Sequence, residues 1–136
     1  GSARIPFLLH YPGKVPAGTV VDEALSCVDF LPTTLSLMDV KTAGKEQGRD
    51  ASALFKGKKT KWNDVSFIRS TSAGKPWLCA VTDDLKLIFS AMDDPWLYDL
   101  SKDIGETKDL SQSKPKQVAR LKKLLVTWEK EVQPIR

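Results

Sequence analysis

One histidine, His10, two cysteines, Cys27 and Cys79, and two methionines are all that this 136-residue chain offers in imidazole and sulfur ligands. Cys27 and Cys79 lack the close spacing of a zinc knuckle, and with His10 they give three ligands on three separate elements, a chance pattern. A lone histidine inside an apolar run, with no G-x-S-x-G elsewhere, gives no basis for a Ser-His-Asp triad. No glycine-rich loop of the phosphate-cradling kind is present. No apolar run approaches the roughly 18 residues of a membrane-spanning helix. The N-terminus has no signal-peptide pattern, and Gly1-Ser2 reads as the scar of a cleaved expression tag, so the compartment is not legible there. Both cysteines have apolar neighbours and are expected as buried free thiols, with a disulfide as the alternative.

What remains is ordinary for a soluble globular chain: 41% hydrophobic and 28% charged residues, enough for one modest core. The net charge of +4 comes from 21 Lys plus Arg against 17 Asp plus Glu. Much of the excess lies in Lys56-Gly57-Lys58-Lys59-Thr60-Lys61 and in the last helix. The basic run has no interleaved aromatics and is expected to be a solvated loop; neither a nucleic-acid nor a membrane partner is expected.

Residues 77–110, WLCAVTDDLKLIFSAMDDPWLYDLSKDIGETKDL, organise the rest. Trp77, Cys79 and Val81 alternate with Leu78, Ala80 and Thr82; Leu85, Leu87 and Phe89 alternate with Lys86, Ile88 and Ser90. Trp96, Tyr98 and Leu100 then alternate with Leu97 and Asp99. This period of two predicts an antiparallel meander. The pairs Asp83-Asp84 and Asp93-Asp94 read as turn formers rather than metal ligands, and Gly105 is the expected site of a positive φ. Downstream, Val118, Leu121, Leu124, Leu125, Trp128 and Val132 form one apolar stripe, opposite Arg120, Lys122, Lys123, Glu129 and Lys130. Ser113 is the expected cap of that helix, Pro115 suits its first turn and Pro134 ends it.

Upstream, residues 4–11 are continuously apolar, as in a strand buried on both faces of a sheet, although the chain has few helices to cover it. Residues 20–23 read as a short extended piece. Ser26-Cys27-Val28-Asp29 opens a helix with Ser26 or Asp29 as cap and Pro32 in its first turn; Leu31, Leu35 and Met38 lie at helical spacing, with Thr34 and Leu37 beside them. A polar loop spans residues 41–47. Residues 48–57 read as a short helical turn closed by Gly57, and residues 62–68 as another strand.

Taken in order, these segments resemble the C-terminal part of the type I sulfatases of the alkaline phosphatase superfamily. LYDLSKDIGETKDL resembles E-L-Y-D-L-x-x-D-P-x-E-x-x-N-L, with Ile104 in place of Pro and Asp109 in place of Asn. AVTDDLKLI resembles A-V-R-T-D-R-Y-K-L-I. SCVDFLPTTLSLMDV resembles S-x-V-D-x-L-P-T-L-L-x-L-A-G-V, departing mainly at Met38-Asp39. Gly48 to Gly57 is similar to G-x-S-L-x-P-L-L-x-G, with Asp50 and Ala53 as departures. Residues 62–69 resemble W-x-D-x-V-F-x-E with Arg69 for the Glu. At the start, R-V-P-L-I-x-R-x-P-G and P-A-G-x-x-x-D-x-x-V find counterparts from Arg4 onward.

The resemblance implies a parent enzyme that cleaves sulfate esters with a formylglycine made from Cys or Ser in C/S-x-P-x-R. It also implies a divalent cation, calcium or magnesium, held by Asp and Asn side chains, and Lys, His and Arg on the sulfate. None of these motifs is matched here. Cys27 precedes Val-Asp-Phe-Leu, Cys79 precedes Ala-Val-Thr-Asp, and Ser113-Lys114-Pro115-Lys116-Gln117 ends in Gln where Arg is needed. No catalytic, cofactor-binding or metal residue is therefore assigned to this chain, which by itself is expected to be inactive. The expected architecture is α+β: a small antiparallel β-sheet packed by a C-terminal amphipathic helix in residues 69–136. A strand-helix segment in residues 3–68 would be the tail of a larger α/β sulfatase domain. Loops 70–76 and 91–95 are expected to wall the substrate cleft. The expected partners are the N-terminal part of the same sulfatase and, in the parent, a sulfated small molecule or glycan; the isolated chain is expected to self-associate through its apolar strand. Such enzymes are often secreted, periplasmic or lysosomal. A phosphonate or phosphodiester hydrolase tail, or a stand-alone interaction module, are the alternatives.

Overall fold

The computed structural model describes residues 5–41, 44, 46–72, 74–82, 84–90 and 92–132. They fall into two compact units, divided between Asp64 and Val65.

In the second unit the period-two pattern becomes a meander. Strands β1 (Ser66–Ser72), β2 (Lys75–Val81), β3 (Leu85–Ser90) and β4 (Asp93–Asp99) lie in sequence order and pair antiparallel, four strands among the described residues. Leu78, Ala80, Leu87 and Leu97 project from one face and are buried against helix α3 (Pro115–Glu131), whose Leu121 and Leu125 are fully enclosed. Phe67, Phe89, Val118, Leu124 and Trp128 close the margins, with Phe67 and Trp128 stacked at 5.2 Å. Burying the five leucines contributes about 8 to 15 kcal/mol before conformational entropy is subtracted. Pro115 stands at the start of α3, where its missing N–H costs nothing. Ser113 does not cap the helix: its hydroxyl donates to Leu110 O at 3.1 Å, and Lys114 occupies the cap position. Pro134 lies outside the described residues.

The loop after β4 is folded by its carboxylates. Asp103 accepts the Thr107 and Lys108 amides, both at 2.8 Å, and Asp109 accepts those of Leu97 and Ser111 at 3.0 and 2.9 Å. The left-handed residue of this loop is Glu106, at φ +56°, and not Gly105. The Asp103 cage sets the tight turn one residue later, and Glu106 is anchored there by Lys86, whose Nζ reaches its two carboxylate oxygens at 2.7 and 2.6 Å.

The first unit is less regular. A 3₁₀ turn (Cys27–Asp29) leads into α1 (Phe30–Leu37), and α2 (Ser52–Phe55) follows. As expected, Gly57 (φ +69°) closes α2: its N–H donates to Leu54 O at 2.8 Å and Lys58 N–H to Ala53 O at 2.9 Å, a Schellman pair. The end of α1 repeats the pattern with Asp39 at φ +58° in the glycine position.

Several expectations fail here. Described residues 5–11 form no strand, and Leu8 is 94% exposed, because no strand among the described residues pairs with them. Residues 20–23 and 62–65 are likewise not in strands, β1 beginning at Ser66. Leu31 and Met38 are exposed while Pro32, Thr33 and Leu37 are buried, so the expected stripe is not the covered face of α1. Cys27 is exposed and only Cys79 is buried; both are free thiols. The core of this unit is a small cluster of Ala51, Leu54 and Phe55, with Leu9, Val15, Val21, Leu25 and Trp62 around it.

Candidate functional site

Asp29 and Arg49 hold the first unit together. Asp29, 3% exposed, accepts Ser26 N at 2.9 Å, Arg49 N at 2.7 Å, Arg49 Nη2 at 2.8 Å and Arg49 Nε at 3.3 Å. Arg49 also donates to Ala24 O at 3.2 Å and to Asn63 O, and its guanidinium lies 4.2 Å from the Trp62 ring centroid. Burial raises the Asp29 pKa, but the hydrogen bonds from Arg49 and Ser26 outweigh it, and the carboxyl stays below its ordinary value. Gly48 permits this approach, since a Cβ there would stand 1.9 Å from Val28 O. Ser26 and Asp29, the two cap candidates of the sequence, stand at the N-cap positions of the 3₁₀ turn and of α1, but Arg49 had no expected role, since no local signal pairs residues twenty apart. The knot is satisfied on all sides, and its chemistry is structural.

The remaining candidates of the sequence do not gather. His10 and Cys27 are exposed, Cys79 sits under the sheet's outer face with its thiol pushed up to about 11 by burial, and Asp84 is exposed. Asp83 lies outside the described residues. Asp93 and Asp94 open β4 rather than forming a turn. No group of three or more His, Cys, Asp or Glu that could hold a cation exists among the described residues. Lys58, Lys59 and Lys61 are exposed, as a solvated loop requires.

What the fold does assemble is one end of the sheet. The stretches 70–76 and 91–95, expected as loops, are largely strand: 70–72 end β1, 75–76 open β2 and 93–95 open β4, and in a meander these strand ends share one end of the sheet; Ala73 and Ala91 lie outside the described residues. On the face opposite α3, Trp77 of β2 and Trp96 of β4 stack across β3, with centroids 5.4 Å apart and planes at 15°. Ile88 pairs with Trp96 but Ser90 with Asp93, so β4 carries one extra residue there. That bulge rotates Asp93 onto the tryptophan face, 3.7 Å from Lys75 Nζ. Ser90 beneath is 2% exposed, whereas Trp96 is 38% exposed. Strand parity reveals both tryptophans in the sequence; the bulge that brings Asp93 to them is not visible there.

Comparison with known proteins places this end in context. The family N-sulphoglucosamine sulphohydrolase, C-terminal, matches residues 1–132. The chain belongs to that family. This sulfatase C-terminal domain is 28% identical over 132 residues to an arylsulfatase of Clostridium perfringens, covering 93% of the chain and 27% of the relative. It is 30% identical over 146 residues to an uncharacterised sulfatase of Schizosaccharomyces pombe, covering 96% and 26%. It thus spans about a quarter of the length of these relatives. Among solved structures, Ps i-CgsB superposes with TM-score 0.71 at 20% identity, over 88% of this chain and 27% of that one. The phosphonate monoester hydrolase of Agrobacterium radiobacter gives 0.64 at 17%, over 82% and 26%. These two likenesses establish the α+β fold alone.

Proposed function

We propose that these residues are the scaffold of a sulfatase whose bond-breaking groups are carried by an N-terminal region, and that they complete its core and wall its substrate cleft. The observation that carries this reading is the contrast between the two units. The second is sealed around its leucines. The first presents Ile5, Phe7, Leu8, Val20, Phe30 and Met38 to solvent around a small core cluster of Ala51, Leu54 and Phe55, and apolar side chains exposed together mark an interaction surface. An open cavity of about 890 Å³ runs beside residues 7–21, with Leu25 and Phe55 in its wall. Such a surface suits the interior of a larger α/β domain. The run at residues 5–11 then becomes a central strand, and Leu31 and Met38 meet neighbouring elements.

The family implies a formylglycine nucleophile and a divalent cation in the parent. The described residues fit neither, so no step of hydrolysis is assigned to them. The substrate class is a sulfated small molecule or glycan. Two similar solved structures support that class, one in complex with D-glucosamine-2-N,6-O-disulfate and the other with a neocarrahexaose. Stretches 70–76 and 91–95 are the parts we assign to the cleft, and exchanging them between homologous sulfatases is expected to change substrate preference. The likeness to the phosphonate monoester hydrolase favours a second reading, a tail of such an enzyme.

Amide hydrogen exchange tests the scaffold. Residues 5–11 and 28–38 exchange rapidly in the isolated chain and are protected when the chain is part of the longer polypeptide; equal exchange in both overturns it. The same surface makes the isolated chain self-associate, and a clean monomer by light scattering at high concentration contradicts that.

A further inference from the structure

We propose that the Trp77–Trp96 face is a subsite for a non-reacting pyranose ring of a sulfated polysaccharide. This rests on the sulfatase reading above. Three features commit the face to that occupant.

The first is the aromatic surface. Trp77 fixes Trp96 by stacking, so the ring that remains 38% exposed is held in one orientation at little entropic cost to a ligand. An indole face offers broad apolar contact, and its quadrupole attracts the weakly positive C–H face of a sugar. The second is Asp93. Its Oδ2 is buried without a hydrogen bond, and no donor among the described residues serves either oxygen; the nearest cation, Lys75 Nζ at 3.7 Å, is beyond hydrogen-bond reach. The bulge in β4 is what turns this carboxylate toward the tryptophans; with the side chain 34% exposed, its other oxygen is the one a sugar hydroxyl reaches. The third is charge. Lys75 is half-exposed, and its ion pair with Asp93 at 3.7 Å is too long to use its N–H donors in a hydrogen bond, so they reach an anionic substituent beside the ring. Stacking surface, hydroxyl acceptor and cation together describe an acidic pyranose.

The face is distant in kind from chemistry: nothing in it is a nucleophile or a metal group. Its contribution is binding of a sugar remote from the cleaved ester, which discriminates polymers from small esters.

The test is titration of the 136-residue chain with a heparin-derived hexasaccharide and with its desulfated counterpart, following the indole N–H resonances by NMR. Assignments come from Trp77→Phe and Trp96→Phe. Both sugars are expected to shift the Trp77 and Trp96 signals while those of Trp62 and Trp128 stay in place. The sulfated form is expected to bind more tightly, and Lys75→Met to remove that difference. Trp96→Ala weakens binding of either sugar on the order of tenfold, and Trp96→Phe restores part of it. Retained helix signal in circular dichroism shows that the variant is folded. No shift with either sugar overturns the subsite. So does binding of the sulfated sugar alone that is insensitive to Trp96→Ala, which would mark adsorption on exposed lysines such as Lys58, Lys59 and Lys61. Because neither sugar needs to be hydrolysed, failure here is separable from failure of the sulfatase reading.

Discussion

Lys86 and Glu106 form an ion pair whose removal has a calculable signature. Lys86 is 10% and Glu106 21% exposed by side chain, and two short contacts of 2.7 and 2.6 Å join them across the outer face of the sheet. Lys86→Met keeps the methylene stem but removes the cation that meets both oxygens of a mostly buried carboxylate, a loss of roughly 2 to 4 kcal/mol. Glu106→Gly strands the ammonium in the same way, yet it also releases the left-handed backbone at φ +56°, which returns about 1 kcal/mol. The single variants should therefore be unequal, with Lys86→Met the worse. In the double variant no charge is stranded and the backbone is relaxed, so its stability should lie within about 1 kcal/mol of the parent. The coupling energy is then at least about 2 kcal/mol. Urea unfolding followed by the fluorescence of Trp77, Trp96 and Trp128, all in this unit, reads the cycle. Additive single effects, or single variants within about 0.5 kcal/mol of the parent, would refute the reasoning.

Three further outcomes follow from the geometry. Asp29 has its pKa held below the ordinary 3.8, so the Arg49 knot contributes stability above that value and loses it as pH falls through the folded pKa. Acid unfolding of the first unit should steepen below pH 3.8, and Asp29→Asn should cost roughly 2 to 4 kcal/mol at neutral pH while flattening the acid limb. Gly48→Ala places a Cβ 1.9 Å from Val28 O and should cost more than about 2 kcal/mol; thermal melting within experimental error of the parent would contradict the close approach. Cys27, exposed, should alkylate quickly under native conditions, whereas Cys79, with its thiol near 11, should react only on unfolding; mass spectrometry would show one adduct and then two.

The second unit was legible because its elements are self-contained. Alternation at 77–100 named the residues of each sheet face, and the stripe from Val118 to Trp128 named the helix that covers one of them. Turn details were less legible: Gly105 was the obvious left-handed residue, yet the Asp103 cage and the Lys86 anchor move that role to Glu106, contacts that no local rule contains. The first unit misled for a different reason. Residues 5–11 and the Leu31–Met38 stripe carry the pattern of buried elements, yet Ile5, Leu8, Leu31 and Met38 are exposed and no strand among the described residues pairs with residues 5–11. The outer-face site was half legible. Parity aligned Trp77 with Trp96, but Asp93 reached them only through a bulge.

Sulfate release from an aryl sulfate ester by the purified 136-residue chain, compared with a polypeptide that joins it to the proposed N-terminal sulfatase region, tests the central claim most directly. The account predicts no release above buffer from the chain alone and turnover from the longer polypeptide; enzymatic release that scales with the concentration of the chain alone would contradict it.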